Sequence, residues 1–326
     1  MAEIPDHLYI NTVKVEQHYI AGDWGTSRLR LSLCLGRRAL ETCQGPGVGA
    51  LRGPASEVLL PLIAGWRDTY GPIPLVLCGM AGSRNGWRET AYLPCPADLR
   101  ALGESALRFE ADGAPVAIAP GLSCKSRLGS PEVMRGEETQ IAGALVLQPD
   151  LGTGRHLLCL PGTHSKWAYL EDGVVRDFLT ALTGELFALL RDGSTLTRAA
   201  RVDAAGDSQG ASSTPVDSKD GFEKGLDAAA TVGTGGLLHA LFAVRSRQLI
   251  DGRSHDWALS YLSGLMIGSD VRGAIPLFGA REEAVLIGDG ALNQRYAQAL
   301  RREGIAASCL DGEQCALAGL RTLCQP

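Results

Sequence analysis

The sequence predicts an α/β protein made of two similar lobes that face each other across a cleft. A strand and turn pattern near residue 20 returns near residue 156, glycines mark the turns at matched spacing, and helical stretches follow each set of strands. With 326 residues, the chain is long enough for about two domains. We expect an N-terminal extension at residues 1–18, a first lobe at 19–150 and a second lobe at 151–326.

The first repeat begins with a short apolar run that leads into the turn Gly-Asp-Trp-Gly-Thr-Ser. Leucines at alternate positions from 29 to 35 then predict a half-buried strand. Gly25 lets backbone N–H groups approach an anion, and Thr26 and Ser27 add hydroxyl donors. Asp23 cannot bind an anion directly, so its place here indicates a cation, with phosphate-bound Mg²⁺ as the obvious choice.

The second repeat has the same layout. Residues 156–160 and 167–170 are predicted strands, and a second Gly-Thr turn, with Gly162 and Thr163, lies between them. Lys166 could neutralise phosphate charge at this turn, although a surface lysine at a strand edge explains its presence equally well.

Glycine spacing links the two repeats. Gly25 and Gly36 are 11 positions apart, as are Gly162 and Gly173. Such matched spacing indicates a duplicated domain, and chance similarity between two short hairpins is the alternative.

Composition excludes several classes of function. The net charge is −5 and no block of basic residues occurs, which gives nucleic-acid binding little support. Nine cysteines without a C-x-x-C pair are typical of a reduced, cytoplasmic protein. No signal peptide or run of membrane-spanning length is recognisable, so no membrane association is expected.

A polar, glycine-rich loop follows the predicted strand at residues 74–78. It contains Ser83, Arg84, Asn85 and Trp87. Loops at the carboxyl ends of such strands bind ligands in α/β proteins, and Arg84 is a candidate clamp for a carboxylate. A solvated turn with a single aromatic residue is the alternative.

Two further segments carry candidate chemistry. Glu137 and Glu138 lie at the predicted start of a helix, where acids are also favoured by the helix dipole alone. The strand that ends near Ile287 runs into a glycine turn at 288–290 and a helix start, which can take a nucleotide or be an ordinary βα turn.

Five blocks, in order, resemble the 2-dehydro-3-deoxygalactonokinase family of the actin, hexokinase and Hsp70 ATPase superfamily: GDWGTSRLR, GMAGSRNGW, EVMRGEETQIAGAL, LPGTHSKWA and TGELFALL. The resemblance implies a two-lobed actin-like ATPase fold with ribonuclease H-like duplicated domains and an interdomain cleft. It also implies phosphorylation of 2-dehydro-3-deoxy-D-galactonate at its 6-hydroxyl in galactonate catabolism, with ATP and Mg²⁺ as cofactors. The first lobe would then bind the sugar acid and the second the nucleotide.

The resemblance also assigns roles to residues. Glu138 is the favoured catalytic base and Glu137 the second choice, while Asp23 would hold the metal. The nucleotide would contact Gly25, Thr26, Ser27, Gly162, Thr163, Lys166, Gly288, Asp289 and Gly290. The sugar acid would contact Ser83, Arg84, Asn85, Trp87 and Arg135. Two departures from the superfamily pattern are Pro161, where an acid is frequent, and Glu in place of Asp as the base.

Two rival functions follow from the same fold. One is another sugar or sugar-acid kinase, and the other is a non-metabolic ATPase of the actin type. A small-molecule sugar acid is the expected partner, while a homodimer is one option that the sequence leaves open. The roles of the N-terminal extension and of the loop at 203–219 are also left open.

Overall fold

The computed structural model of the chain describes residues 17–197, 215–233, 235–279 and 283–324. The predicted N-terminal extension and the loop at 203–219 lie largely outside these described residues. Within the described ranges, the chain forms two six-stranded sheets and one three-stranded sheet, with helices between and beside them.

The described strands and helices have the following bounds. The strands are β1 His18–Trp24, β2 Arg28–Leu35, β3 Arg38–Pro46, β4 Leu75–Gly79, β5 Tyr92–Pro94, β6 Ala97–Asp98, β7 Leu107–Ala111, β8 Ala114–Ile118, β9 Gly121–Lys125, β10 Pro131–Met134, β11 Arg155–Leu160, β12 Ser165–Glu171, β13 Val174–Ala181, β14 Glu283–Gly288 and β15 Ala306–Asp311. The helices are α1 Ala55–Tyr70, α2 Glu137–Leu147, α3 Thr183–Gly193, α4 Pro215–Val232, α5 Leu237–Leu241, α6 Ala243–Ile250, α7 His255–Phe278, α8 Gly290–Arg302 and α9 Gly312–Thr322.

The two large sheets repeat one strand order. The first runs β3-β2-β1-β4-β8-β7, and the second runs β13-β12-β11-β14-β15 with β6 added beside β13. In the first sheet, β3, β2 and β1 are antiparallel neighbours, and β4 and β8 extend the sheet parallel to β1. In the second sheet, β13, β12 and β11 are antiparallel neighbours, and β14 and β15 extend it parallel to β11. This repeated order confirms the predicted duplication. The small sheet, β10-β9-β5, lies beside them.

Strand β2 is buried on both faces over its central residues, whereas the alternating leucines predict a half-buried strand. Leu29, Leu31 and Leu33 are fully buried in one core with residues of α1. On the other face, Ser32 and Cys34 are also buried, because Leu320 of α9 and its neighbours cover that side of the sheet. The hairpin between β12 and β13 turns at Asp172 and Gly173. Both residues have positive φ (53° and 78°), the geometry that an Asp-Gly pair favours.

Helices α2 and α9 cross at very short range between the sheets. A Cβ on Gly143 would lie 1.7 Å from the carbonyl oxygen of Cys315, and one on Gly319 would lie 2.0 Å from that of Thr139. No side chain larger than hydrogen fits at either position, so the two glycines allow the close crossing.

Both crossing helices pack against the sheet of the other half. Ile141 of α2 lies in the core of the second sheet with Leu158, whereas Leu320 of α9 lies against Ala21 and Val76 of the first. Strand β6 likewise pairs with β13. The six strands of the first large sheet precede residue 150 and five of the six strands of the second follow it, whereas β6, α2 and α9 each pack against the sheet of the other half. The bounds of the two lobes stay a prediction.

In the part of the chain that the structure describes, no helix combines the length and apolar character needed to cross a membrane.

Candidate active site

A cavity of about 510 Å³ lies between the two large sheets. Asp23 and Thr163 both line it, which confirms the prediction that the two turns share one crevice. Among the residues selected from the sequence, those on the cavity wall are Asp23, Gly25, Thr26, Arg135, Glu137, Gly162, Thr163, Lys166, Gly288 and Asp289. Those that do not line it are Ser27, Ser83, Arg84, Asn85, Trp87, Glu138 and Gly290.

The turn between β1 and β2 is supported by the segment that follows β3. Backbone N–H groups of Val48 and Gly49 donate to the carbonyl oxygens of Gly25 (3.1 Å) and Thr26 (2.9 Å). A Cβ on Gly47 would lie 2.2 Å from the Thr26 oxygen. The glycine therefore lets one chain segment press directly against the other and fix the turn.

The turn between β11 and β12 has the same kind of support, here from the start of α3. A Cβ on Gly184 would lie 2.4 Å from the carbonyl oxygen of Gly162. The backbone N–H of Glu185 donates to the Thr163 oxygen at 2.9 Å, and its carboxylate pairs with the imidazole Nε2 of His164. His164 lines the cavity.

The supporting glycines extend the spacing seen in the sequence. Gly47 follows Gly36 by 11 positions, and Gly184 follows Gly173 by 11. Sequence reasoning stopped at the second glycine of each set, and so it missed the supports. The third glycine at the same interval is the signal that identifies them.

Two ion pairs join the halves at the cavity. Lys166 Nζ lies 3.1 Å from Glu137 Oε1, and the Lys166 side chain is only 5% exposed. Arg30 Nη1 lies 3.8 Å from Glu313 Oε2, and its Nη2 lies 2.9 Å from Asp23. In each case, a cation on the second strand of one sheet meets a glutamate in the first turn of α2 or α9.

Glu137 and Glu138 face different surroundings. Glu137 lines the cavity, accepts the backbone N–H of Arg135 at 3.1 Å and is partly exposed. Glu138 has no exposed surface, and its carboxyl accepts from the Gly136 N–H (2.7 Å) and the Thr139 hydroxyl (2.9 Å). Neighbours on a helix point about 100° apart. The predicted base, Glu138, thus points into the interior, and the second choice, Glu137, points into the cavity.

Burial dominates the electrostatics of Glu138. Desolvation, with a smaller contribution from the nearby Glu137 charge, raises the pKa of Glu138 from its ordinary 4.5 to about 7, although the two hydrogen bonds oppose the shift. The group is therefore partly protonated near neutral pH.

Two helix N-termini point toward the cavity after β14 and β15. Asp289 caps α8 by accepting the N–H groups of Ala291 (3.0 Å) and Leu292 (3.2 Å), and Asp311 caps α9. A Cβ on Gly312 would lie 3.0 Å from the Gly288 Cα, so the two turns touch. Because its carboxylate is occupied by the cap, Asp289 shapes the turn through its backbone.

None of the four residues selected from the predicted substrate loop lines the cavity. Of the predicted sugar-acid contacts, Arg135 alone borders it, where its guanidinium donates to the Thr90 carbonyl oxygen at 3.0 Å and lies 4.3 Å from the centre of the Tyr92 ring. Arg84, in contrast, is 86% exposed and 3.8 Å from Glu89. Trp87 packs edge-on against Phe109, within the first core.

A largely buried carboxylate ties the second turn to the helices behind it. Asp270 of α7 accepts hydrogen bonds from Trp167 Nε1 (2.9 Å), Thr183 Oγ1 (2.7 Å) and the Tyr296 hydroxyl (2.6 Å). Burial raises the pKa of Asp270, and the three hydrogen bonds oppose that shift. Its sequence context gave no signal, because its partners come from β12, α3 and α8.

Comparison with known proteins identifies a family. The model of the family described as 2-keto-3-deoxy-galactonokinase matches residues 23–323. A 2-dehydro-3-deoxygalactonokinase from Escherichia coli is 33% identical over 308 residues, which is 94% of this chain and 97% of that protein. A candidate 2-dehydro-3-deoxygalactonokinase from Rhizobium meliloti is 34% identical over 306 residues, 93% of this chain and 95% of that protein.

Solved structures agree with these relatives. A crystal structure of a candidate 2-dehydro-3-deoxygalactonokinase from Sinorhizobium meliloti has a TM-score of 0.78 and 33% identity, covering 94% of this chain and 98% of that one. The activator of 2-hydroxyisocaproyl-CoA dehydratase from Clostridium difficile, with bound ADPNP, has a TM-score of 0.50 and 14% identity over 95% of each chain, a likeness of fold alone. The predicted two-lobed actin-like ATPase fold and the resemblance drawn from the five sequence blocks are both confirmed.

Proposed function

Because the chain belongs to the 2-keto-3-deoxy-galactonokinase family, we propose that it transfers the terminal phosphoryl group of ATP to the 6-hydroxyl of 2-dehydro-3-deoxy-D-galactonate. As a member of that family, it is a kinase that phosphorylates this keto-deoxy sugar acid. Beyond this family activity, we propose the phosphorylated position, the use of Mg²⁺ and the roles of single residues.

One observation supports the proposal most directly. Turns from two duplicated sheets, each held by a glycine contact, line a single cavity with Asp23 on one side and Thr163 on the other. Phosphoryl transfer requires mainly positioning and charge stabilisation, and backbone N–H groups and hydroxyls of two fixed turns supply both.

The donor groups present fit a magnesium ion. Mg²⁺ in such sites keeps several waters and binds through one or two carboxylates together with phosphate oxygens. Asp23 offers one carboxylate, a quarter exposed, beside the first turn. Among the described residues no cluster of three or more His, Cys, Asp or Glu side chains is suited to a metal ion. Asp23 would hold the ion, which would neutralise phosphate charge, and Arg30 would keep that carboxylate in place.

We assign the catalytic base to Glu137, in place of Glu138. The Glu137 carboxylate borders the cavity, so it can accept the proton of the sugar hydroxyl as that oxygen bonds to phosphorus and ADP leaves. Lys166, paired with Glu137 at 3.1 Å, supplies a positive charge between the base and the second turn. Burial keeps Glu138 away from any hydroxyl in the cavity.

The sugar-acid carboxylate would meet Arg135. This is the residue of the predicted substrate set that borders the cavity, and an arginine matches a carboxylate with paired donors. A substrate without the acid group would leave the guanidinium less well satisfied, which favours sugar acids over neutral hexoses.

The test has two parts. Phosphorus-coupled NMR of the product from 2-dehydro-3-deoxygalactonate is expected to show the phosphate on the terminal carbon; a phosphate elsewhere contradicts the assignment. Glu137→Gln is expected to lower kcat by roughly 10²–10⁴-fold, whereas Glu138→Gln, the matched control one residue away, keeps kcat within a few-fold. The reverse result would return the role to Glu138.

A further inference from the structure

His164 makes two polar contacts in the cavity wall, one through its ring and one through its backbone. The imidazole Nε2 meets the Glu185 carboxylate on α3, while the backbone carbonyl oxygen of His164 accepts from Lys166 Nζ at 3.0 Å. Lys166 in turn pairs with Glu137 on α2. Within the second turn, His164 is therefore connected on one side to α3 and on the other to the proposed base.

The geometry of this pair decides what the ring can offer to a ligand. With Nε2 engaged by the carboxylate, a neutral His164 carries its proton on Nε2 and leaves Nδ1 as an acceptor. An imidazolium keeps a proton on both nitrogens, so Nδ1–H becomes a donor. Only the charged form can therefore donate a hydrogen bond to a phosphate while the Glu185 contact persists.

Glu185 holds both the backbone and the ring of the second turn. Its backbone N–H donates to the Thr163 carbonyl oxygen at 2.9 Å, and its carboxylate fixes the imidazole of His164. Both side chains are about half exposed, at 46% each, so without this pair the ring would be free to turn away from the cavity.

We propose that His164 is a phosphate-binding cation of the nucleotide site and that Glu185 is the positioning residue that orients it. The ligand is the terminal phosphate of a nucleoside triphosphate, which rests on the proposed function. His164 strengthens binding of that phosphate and stabilises the charge that develops on it during transfer. Glu185 acts only through His164 and touches neither reactant.

A double-mutant cycle tests this coupling. Binding of ATP alone is measured by calorimetry for the wild type, His164→Ala, Glu185→Ala and the double variant. A charge-assisted hydrogen bond predicts a loss of affinity of roughly 10- to 100-fold for His164→Ala and a smaller loss for Glu185→Ala. The double variant should match His164→Ala, because Glu185 has nothing left to position. Additive losses, or no loss in His164→Ala, overturn the proposal.

A matched control separates this effect from a general one on the helix. Glu57 also lies in the first turn of a helix, α1, and is exposed. Glu57→Ala removes the same charge from an equivalent position and should leave ATP affinity unchanged. Glu185→Gln, which keeps an acceptor for the ring, should recover part of the loss seen in Glu185→Ala.

Binding of ATP needs no sugar acid, so the double-mutant cycle and the Glu185→Gln variant test His164 and Glu185 whichever hydroxyl is phosphorylated.

Discussion

Replacing Glu138 by glutamine should alter how stability depends on pH. The carboxyl is fully buried, and its pKa rises from 4.5 to about 7 on folding. Because the folded-state pKa is the higher one, the folded protein favours the protonated form. The stabilisation from that proton is complete below pH 4.5 and is lost as the pH rises through 7.

The magnitude follows from the two pKa values. Their difference of about 2.5 corresponds to about 3 kcal/mol, at roughly 1.4 kcal/mol for each pKa unit. Glutamine resembles the protonated acid, since its oxygen can accept from the Gly136 N–H and its amide can donate to the Thr139 hydroxyl. Glu138→Gln should therefore match the wild type near pH 5 and exceed its free energy of unfolding by about 2–3 kcal/mol near pH 8.5.

Urea unfolding at several pH values measures this difference directly. Titrating groups that do not interact with Glu138 affect both proteins equally, so the difference between wild type and variant reports on Glu138 and its coupling to the Glu137 charge. A difference that stays constant from pH 5 to pH 8.5 would refute the reasoning, because it would mean that the buried carboxyl does not change its protonation in that range. The same samples report kcat, which should remain close to that of the wild type.

Two further substitutions test the framework behind the site. Gly143→Ala should lower the free energy of unfolding by roughly 1–3 kcal/mol, because the new Cβ would overlap the Cys315 carbonyl oxygen. Gly65→Ala on α1 is the control: nothing lies within 4 Å of the added Cβ, and the variant should raise the free energy of unfolding by up to about 1 kcal/mol. Urea unfolding that ranks the two variants the other way contradicts the close crossing. Asp270→Ala should lower the free energy of unfolding by roughly 3–5 kcal/mol, because three buried donors would lose the carboxylate that they share. Asp270→Asn should lower it less. Equal thermal stability of the wild type and both variants would show that this hydrogen-bond network does not stabilise the fold.

The crossing of α2 and α9 also suggests how the two sheets are held in relation to each other. Each helix packs on the sheet of the other half, and each has a glutamate in its first turn that meets a cation across the cavity. Substitutions that separate the helices are therefore expected to move Glu137 and Lys166 apart, and so to affect the site as well as stability.

The sequence by itself determined the repeated part of this protein. The alternating leucines of β2, the two Gly-Thr turns and the 11-residue glycine interval are local patterns, and local patterns set strands and turns. They were enough to predict the duplication and the shared crevice, whereas the family was predicted from the resemblance of five ordered sequence blocks.

Only the tertiary structure decided which side chains reach the cavity. It turned Glu137 toward the cavity and Glu138 into the interior, left Arg84 in solvent, and brought Glu185 against His164 from a different element. The physical reason is that orientation depends on how helices and sheets distant in sequence pack together. A one-residue step on α2, which the sequence pattern cannot resolve, turns a side chain from the cavity to the interior.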